Sequence, residues 1–200
     1  MRKLLDLGLK QIEKILQEMG GTVLECVNSL ESVLGGEGDS IEDNSSKLHI
    51  LRNELVEIAT ELLVRYQPMA SDLRYIQASI DVSYDLYRIS RYSMEIERTL
   101  KITNPGCEFE RSKQALKIVK KMVELALRAF LEGDETSVGR LLESDEKVDK
   151  LYLASIEELN KDSNICKAVE ALILRHLERM SDHTTYIGGS AIYVIKGERI

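Results

Sequence analysis

Leu5, Leu9, Ile12, Leu16, Met19, Val23, Cys26, Leu30 and Val33 follow one another at alternating spacings of four and three residues, without interruption. Only a helix puts such positions on one face, and a 3.5-residue average keeps that face on its neighbours along a left-handed bundle. The chain therefore opens with one long helix packed along its whole length. Gly20-Gly21 falls inside the stripe and costs about 1 kcal/mol per glycine relative to alanine. The pattern continues in phase across the pair, so a single helix is expected. Gly35-Gly36-Glu37-Gly38-Asp39-Ser40 ends it: glycine suits a helix C-terminus, and Ser40 suits the N-cap of the next helix.

Leu48, Leu51, Leu55, Ile58 and Leu62 mark a second helix from about Ile41 to Tyr66. Gln67-Pro68 breaks it, because a residue before proline is driven out of the helical region. A third helix runs to about Ile102, and Thr103-Asn104-Pro105-Gly106 is the strongest punctuation in the chain. The pattern then repeats with helices over roughly Phe109 to Leu131, from the Glu132-Gly133-Asp134 turn to about Lys161, and from there to the end region. The expected fold is all-α: two tandem antiparallel three-helix bundles, residues 1–104 and 105–200.

Composition narrows the function. A net charge of −7 argues against nonspecific nucleic-acid binding and against docking on anionic membranes through a basic face. No apolar run approaches the roughly 20 residues of a membrane span. The N-terminal Met1-Arg2-Lys3-Leu4-Leu5 starts like a signal peptide, but Lys10, Glu13 and Lys14 interrupt any apolar core. A cytoplasmic chain is expected. Cys26, Cys107 and Cys166 are odd in number and widely spaced, which reads as reduced packing thiols rather than a disulfide frame or zinc site.

The chemistry concentrates in an internal echo. Leu177-Glu178-Arg179-Met180-Ser181-Asp182 repeats Leu86-Tyr87-Arg88-Ile89-Ser90-Arg91 at a corresponding place in the other half. Positions four apart share a helix face, so Glu178 and Asp182 project side by side where Tyr87 and Arg91 project in the earlier copy. Asp145 and Asp149 form a second acid pair on the preceding helix. Four carboxylates meeting between two neighbouring helices call for a cation, since like charges repel strongly away from bulk water. Oxygen donors suit hard divalent ions or iron, and bridging carboxylates favour more than one ion. The Glu-x-x-His element of ferritin-like di-iron sites is absent.

Together, Gln67-Pro68-Met69-Ala70-Ser71-Asp72-Leu73-Arg74, Asp145-x-x-Val148-Asp149-x-Leu151-Tyr152, Arg175-His176-Leu177-Glu178-Arg179-Met180-Ser181-Asp182-His183 and the ending Ala191 to Glu198 resemble the PhoU family of phosphate-uptake regulators over essentially the full length. The resemblance implies a non-enzymatic regulator that restrains the phosphate ABC-transporter ATPase and the phosphate sensor kinase when phosphate is plentiful. It also implies homodimerisation and a multinuclear iron or zinc cluster in each bundle. Carried over, the second cluster falls on Asp145, Asp149, Glu178 and Asp182. The first falls on Ser45, His49, Tyr87 and Arg91, none of them a carboxylate, so one metal site at most is expected.

Simpler roles stand beside these. Arg175 and Arg179 can pair with Glu178 and Asp182 at i,i+3 spacing with no metal. His176 and His183 share a face turned away from Glu178, which suits packing or a surface position. Asp81 and Asp85 lie about 160° around the helix from the motif face and do not replace its lost acids. Tyr84, Tyr87 and Tyr92 are expected to fill the lapsed first site. No nucleophilic triad or phosphate loop can be assembled. The competing reading is a metal-free helical adaptor of another pathway; a carboxylate-bridged hydrolase lacks a general acid or base beside the quartet.

Overall fold

The computed structural model describes residues 2–37, 41–162 and 164–198. Its elements are α1 (Arg2–Leu34), α2 (Glu42–Tyr66), α3 (Ala70–Thr103), α4 (Glu110–Leu131), α5 (Thr136–Lys161) and α6 (Ile165–Lys196). The expected all-α architecture of two antiparallel three-helix bundles is what these residues form. Helices α1, α2 and α3 pack on one another, as do α4, α5 and α6; α3 also lies along α6, and α1 against α4.

The 3.5-residue stripe of α1 is buried as its spacing requires. Leu5, Ile12, Leu16, Met19, Val23, Cys26, Leu30 and Val33 are all in the core, with Leu9 packed against it. The two glycines do different things. A Cβ on Gly20 would stand 2.8 Å from Cδ2 of Leu127, so its bare backbone is what lets α4 approach α1. A Cβ on Gly21 would meet nothing within 4 Å.

Helix ends follow local chemistry. Gln67 (φ 47°), Asn104 (φ 34°) and Gly197 (φ 79°) take the left-handed conformation, and each N–H donates back to the carbonyl of Leu63, Leu100 or Tyr193. Asn164 caps α6 through its Oδ1, which accepts from the Lys167 amide at 3.0 Å. Ser40, expected to cap α2, lies outside the described residues. The Ile41 amide at the start of α2 instead donates to Oε2 of buried Glu97 on α3 at 3.3 Å, so a side chain distant in sequence anchors the α2 entry.

One sequence expectation is overturned. Cys107 and Cys166 are joined in a disulfide with their Cα atoms 5.9 Å apart, and only Cys26 is a free, buried thiol. Their separation of 59 residues hid the pairing: the α4–α5 hairpin returns the chain, so the start of α6 meets the α3–α4 connection.

The glycines give a direct test of this packing. Gly21→Ala should stabilise the protein by about 1 kcal/mol, read as a Tm rise of about 2–4 °C in a chain of this size. Gly20→Ala should gain less, because the new methyl must displace the end of Leu127. Thermal unfolding followed by circular dichroism compares the two, and equal gains would mean that α1 and α4 do not meet there.

Candidate functional site

The motif residues of α5 and α6 face one another as helical spacing requires. Ser181, fully buried, donates to Oδ1 of Asp145 at 2.7 Å across the helix pair. A hydroxyl held to a carboxylate contributes about 1.5–3 kcal/mol, which fixes Asp145 against α6. Arg175 donates to Glu178 at 2.7 Å and Arg179 to Asp182 at 2.5 Å, the ion pairs that the i,i+3 spacing allows. The guanidinium of Arg175 also lies 5.4 Å from the ring centre of Tyr152 on α5.

The four acids act on one another. Burial first, then the charges of Asp145 and Asp182, push the Asp149 carboxyl above its ordinary value. Burial and the charge of Asp182 raise Glu178, with Arg175 and Arg179 opposing. Burial raises Asp182 as well, opposed by Arg179 and reinforced by Asp145. Their contacts and fields thus group Asp145, Asp149, Glu178 and Asp182 between α5 and α6. Among the described residues, however, no three His, Cys, Asp or Glu side chains are arranged to hold a metal ion as they stand. The donors suit a hard cation in chemistry, but Glu178 and Asp182 are held by Arg175 and Arg179 rather than gathered about one point.

The corresponding place in the N-terminal bundle is chemically different. Ser90 occupies the position of Ser181 and donates to Oγ of buried Ser45 at 3.2 Å, where the other half has Asp145. The His49 and Tyr87 rings lie 5.3 Å apart, and Arg91 is drawn to Glu95 at 3.5 Å. Of the three tyrosines expected to fill this site, only Tyr87 lies against its residues. Tyr92 and Tyr84 reach the His183 ring on α6, at 5.7 and 6.2 Å, and Tyr84 also lies 5.5 Å from the guanidinium of Arg52 on α2.

That α3–α6 seam holds what sequence reasoning missed. Nδ1 of His183 lies 2.7 Å from Oδ1 of Asp85, both side chains less than a tenth exposed. Burial pushes the Asp85 carboxyl up, while the hydrogen bond with His183 opposes it. The internal echo carries a signal for this region: aligned on Leu86 and Leu177, Asp85 answers to His176 and Tyr92 to His183. The rings of Tyr92 and His176 lie 5.9 Å apart, so the second pair of corresponding positions also meets. Between the two pairs, Arg88 donates to the Tyr92 hydroxyl at 2.5 Å, and Arg179 hydrogen-bonds it from α6. Burial alone would raise that phenol; the two arginines outweigh it and hold it below its ordinary value.

Comparison with known proteins supplies the context for these positions. The family model described as the PhoU domain matches residues 16–99 and again 113–191. The phosphate-specific transport system accessory protein PhoU homolog 1 of Thermotoga maritima is 27% identical, covering 98% of this chain and 89% of the relative. The PhoU homolog of Pseudomonas aeruginosa is 28% identical, covering 94% of this chain and 84% of its own length. The crystal structure of PhoU from Pseudomonas aeruginosa superposes with a TM-score of 0.87 at 26% identity, over 96% of this chain and 99% of that one. The phosphate transport system regulatory protein PhoU from Streptococcus pneumoniae, 24% identical with a TM-score of 0.85 over 98% of this chain and 99% of that one, shares the fold. Matched by the family model in both of its halves, the chain belongs to the PhoU family.

Proposed function

We propose that this protein is an accessory regulator of phosphate transport that restrains uptake through contact with the transporter ATPase and the phosphate sensor kinase. The observation that carries this reading is the match of the PhoU domain to both halves of the chain. Relatives named as accessory proteins of the phosphate-specific transport system are covered almost end to end. No helix of the described residues is long and apolar enough to cross a membrane, which suits a cytoplasmic partner of membrane-bound machinery, acting as a homodimer. In the same reading, residues 105–200 carry a cation-binding surface and residues 1–104 serve packing and docking. Phosphate uptake in a deletion strain tests the main statement: uptake in phosphate-rich medium should escape restraint, and the gene restored in trans should reimpose it. Unchanged uptake, together with no capture of the ATPase or kinase by the purified protein, would overturn it.

A cation at Asp145, Asp149, Glu178 and Asp182 is the finer part of the proposal. Arg175–Glu178 and Arg179–Asp182 are short-range pairs whose arginines are a third to a half exposed, each contributing only about 0.5 kcal/mol. Releasing both would cost a cation about 1 kcal/mol, less than a factor of ten in affinity, so the arginines are weak competitors for the carboxylates. A metal-free adaptor is the second reading, favoured by those same two pairs.

The shifted carboxylates separate the two. Asp149, Glu178 and Asp182 titrate above their ordinary values, so the folded state favours their protonated forms. Their contribution to stability is fullest below about pH 4 and is lost as pH rises through the raised values. Asp149→Asn should therefore raise the Tm of chelator-treated protein at about pH 7, and the gain should vanish by about pH 3. Excess Zn²⁺ or Fe²⁺ should then reverse the order. The native protein should gain about 5–10 °C at a hundred times the Kd, and the variant little. A native Tm indifferent to both ions would leave the metal-free reading standing.

A further inference from the structure

Cys107 belongs to the segment between α3 and α4, and Cys166 to the first turn of α6. Their Cα separation of 5.9 Å lies within the range a disulfide needs. Each is half-buried and lines an open surface depression. One, of about 390 Å³, runs past Cys166 with Glu108, Arg111, Glu158 and Lys167; the other, of about 330 Å³, runs past Cys107 with Gly36, Asn104 and Gly106. A small thiol can thus reach the bond from either side. Cys26 is the opposite case, fully enclosed in the core with its thiol pushed up to about 12 by burial, and so inert.

What the bond ties is the joint between the two bundles. The neighbouring start of α4 has its own noncovalent anchors. Arg111 donates to Glu158 through both terminal nitrogens, one at 2.8 Å, and its amide donates to Glu170 at 3.2 Å. Phe109 is buried beside them. Residues 104–108 lie outside any helix, and the disulfide fastens this stretch covalently to α6.

We infer that Cys107 and Cys166 form a reversible thiol–disulfide site through which a small dithiol loosens, and its oxidised form tightens, the connection between the two bundles. In the reducing direction a thiolate of the dithiol attacks one sulfur, the protein S–S bond breaks, and a mixed disulfide forms. The second thiol of the reagent then displaces the protein sulfur. Two electrons and two protons pass to the protein, leaving two free thiols, and the reagent closes to its cyclic disulfide. The bundles themselves persist, since neither cysteine is among their fully buried core residues and Cys107 only packs against that core from its edge. This inference goes beyond the role in phosphate uptake and stands whether or not that role holds.

Full-length protein equilibrated in dithiothreitol buffers of set redox ratio, acid-quenched and alkylated, provides the test by peptide mass spectrometry. Cys107 and Cys166 should become labelled together in one two-electron transition without denaturant, while Cys26 stays unlabelled until the protein unfolds. Reduction should lower the Tm by about 5–10 °C and speed amide exchange at residues 104–108 and 165–168 at least tenfold, sparing the core of α3 and α6. The double variant Cys107→Ser/Cys166→Ser should match the reduced protein and ignore dithiothreitol; Cys26→Ser should keep the full response. The inference fails if the two thiols alkylate in air-oxidised native protein. It fails equally if the bond yields to dithiothreitol only in denaturant, or if exchange at 104–108 is the same in both redox states.

Discussion

A buried acid–imidazole contact, Asp85 with His183, lies on the line where the longest helix of each half packs against the other. Around it Leu86, Ile89, Leu177 and Met180 are fully excluded from water, and the Ser93 hydroxyl reaches the Met180 sulfur at 3.9 Å. Removing one partner of such a pair leaves a polar group buried and unsatisfied, which costs far more than the pair itself contributes. The contact therefore acts as a register pin: α3 and α6 pack in the one alignment that brings the two residues together. That alignment sets which faces of α3 and α6 remain for α2 and α5. Ser45 with Ser90, and Asp145 with Ser181, are the hydroxyl contacts on those remaining faces.

The two halves thus share a frame and differ in charge. In the N-terminal half a hydroxyl meets a hydroxyl, and Arg91 finds Glu95 on its own helix, so none of its four corresponding positions sets one carboxylate against another. In the C-terminal half a hydroxyl meets a carboxylate, and three nearby acids are each raised by burial and by their neighbours. A sequence selected for stability alone would not keep mutually repelling, partly buried acids. Raised carboxylates of this kind mark candidate functional positions.

Helical periodicity made much of this legible. The stripe of α1, the Gln67-Pro68 break and the turn at Asn104 fixed the helices to within a few residues, because each rests on interactions within one or two turns. The acid pairs were legible for the same reason: i,i+4 spacing is a local fact. Periodicity says which face of a helix is buried and does not say what covers it. Asp85 was set aside as a ligand for the motif face, and its own face meets His183 of a helix almost a hundred residues away. Cys107 and Cys166 escaped for the same cause, as did Gly20, whose bare backbone matters only because Leu127 of α4 lies above it. Each of these rests on a pairing of distant segments, which no local pattern encodes.

The arginines resolve what would otherwise be a contradiction in the C-terminal half. Zinc fingers use the metal as the core and unfold without it; here both bundles close over apolar cores of their own. Arg175 and Arg179 supply internal counterions, so the carboxylates can remain charged and half-buried with no ion between them. In the N-terminal half the corresponding acids are absent, Ser45 and Ser90 meet instead, and the bundle closes over an apolar core of its own. A ligand that bound at the four-acid surface without disturbing the apolar cores would act by favouring one state of that surface over another, in proportion to its difference in affinity for the two.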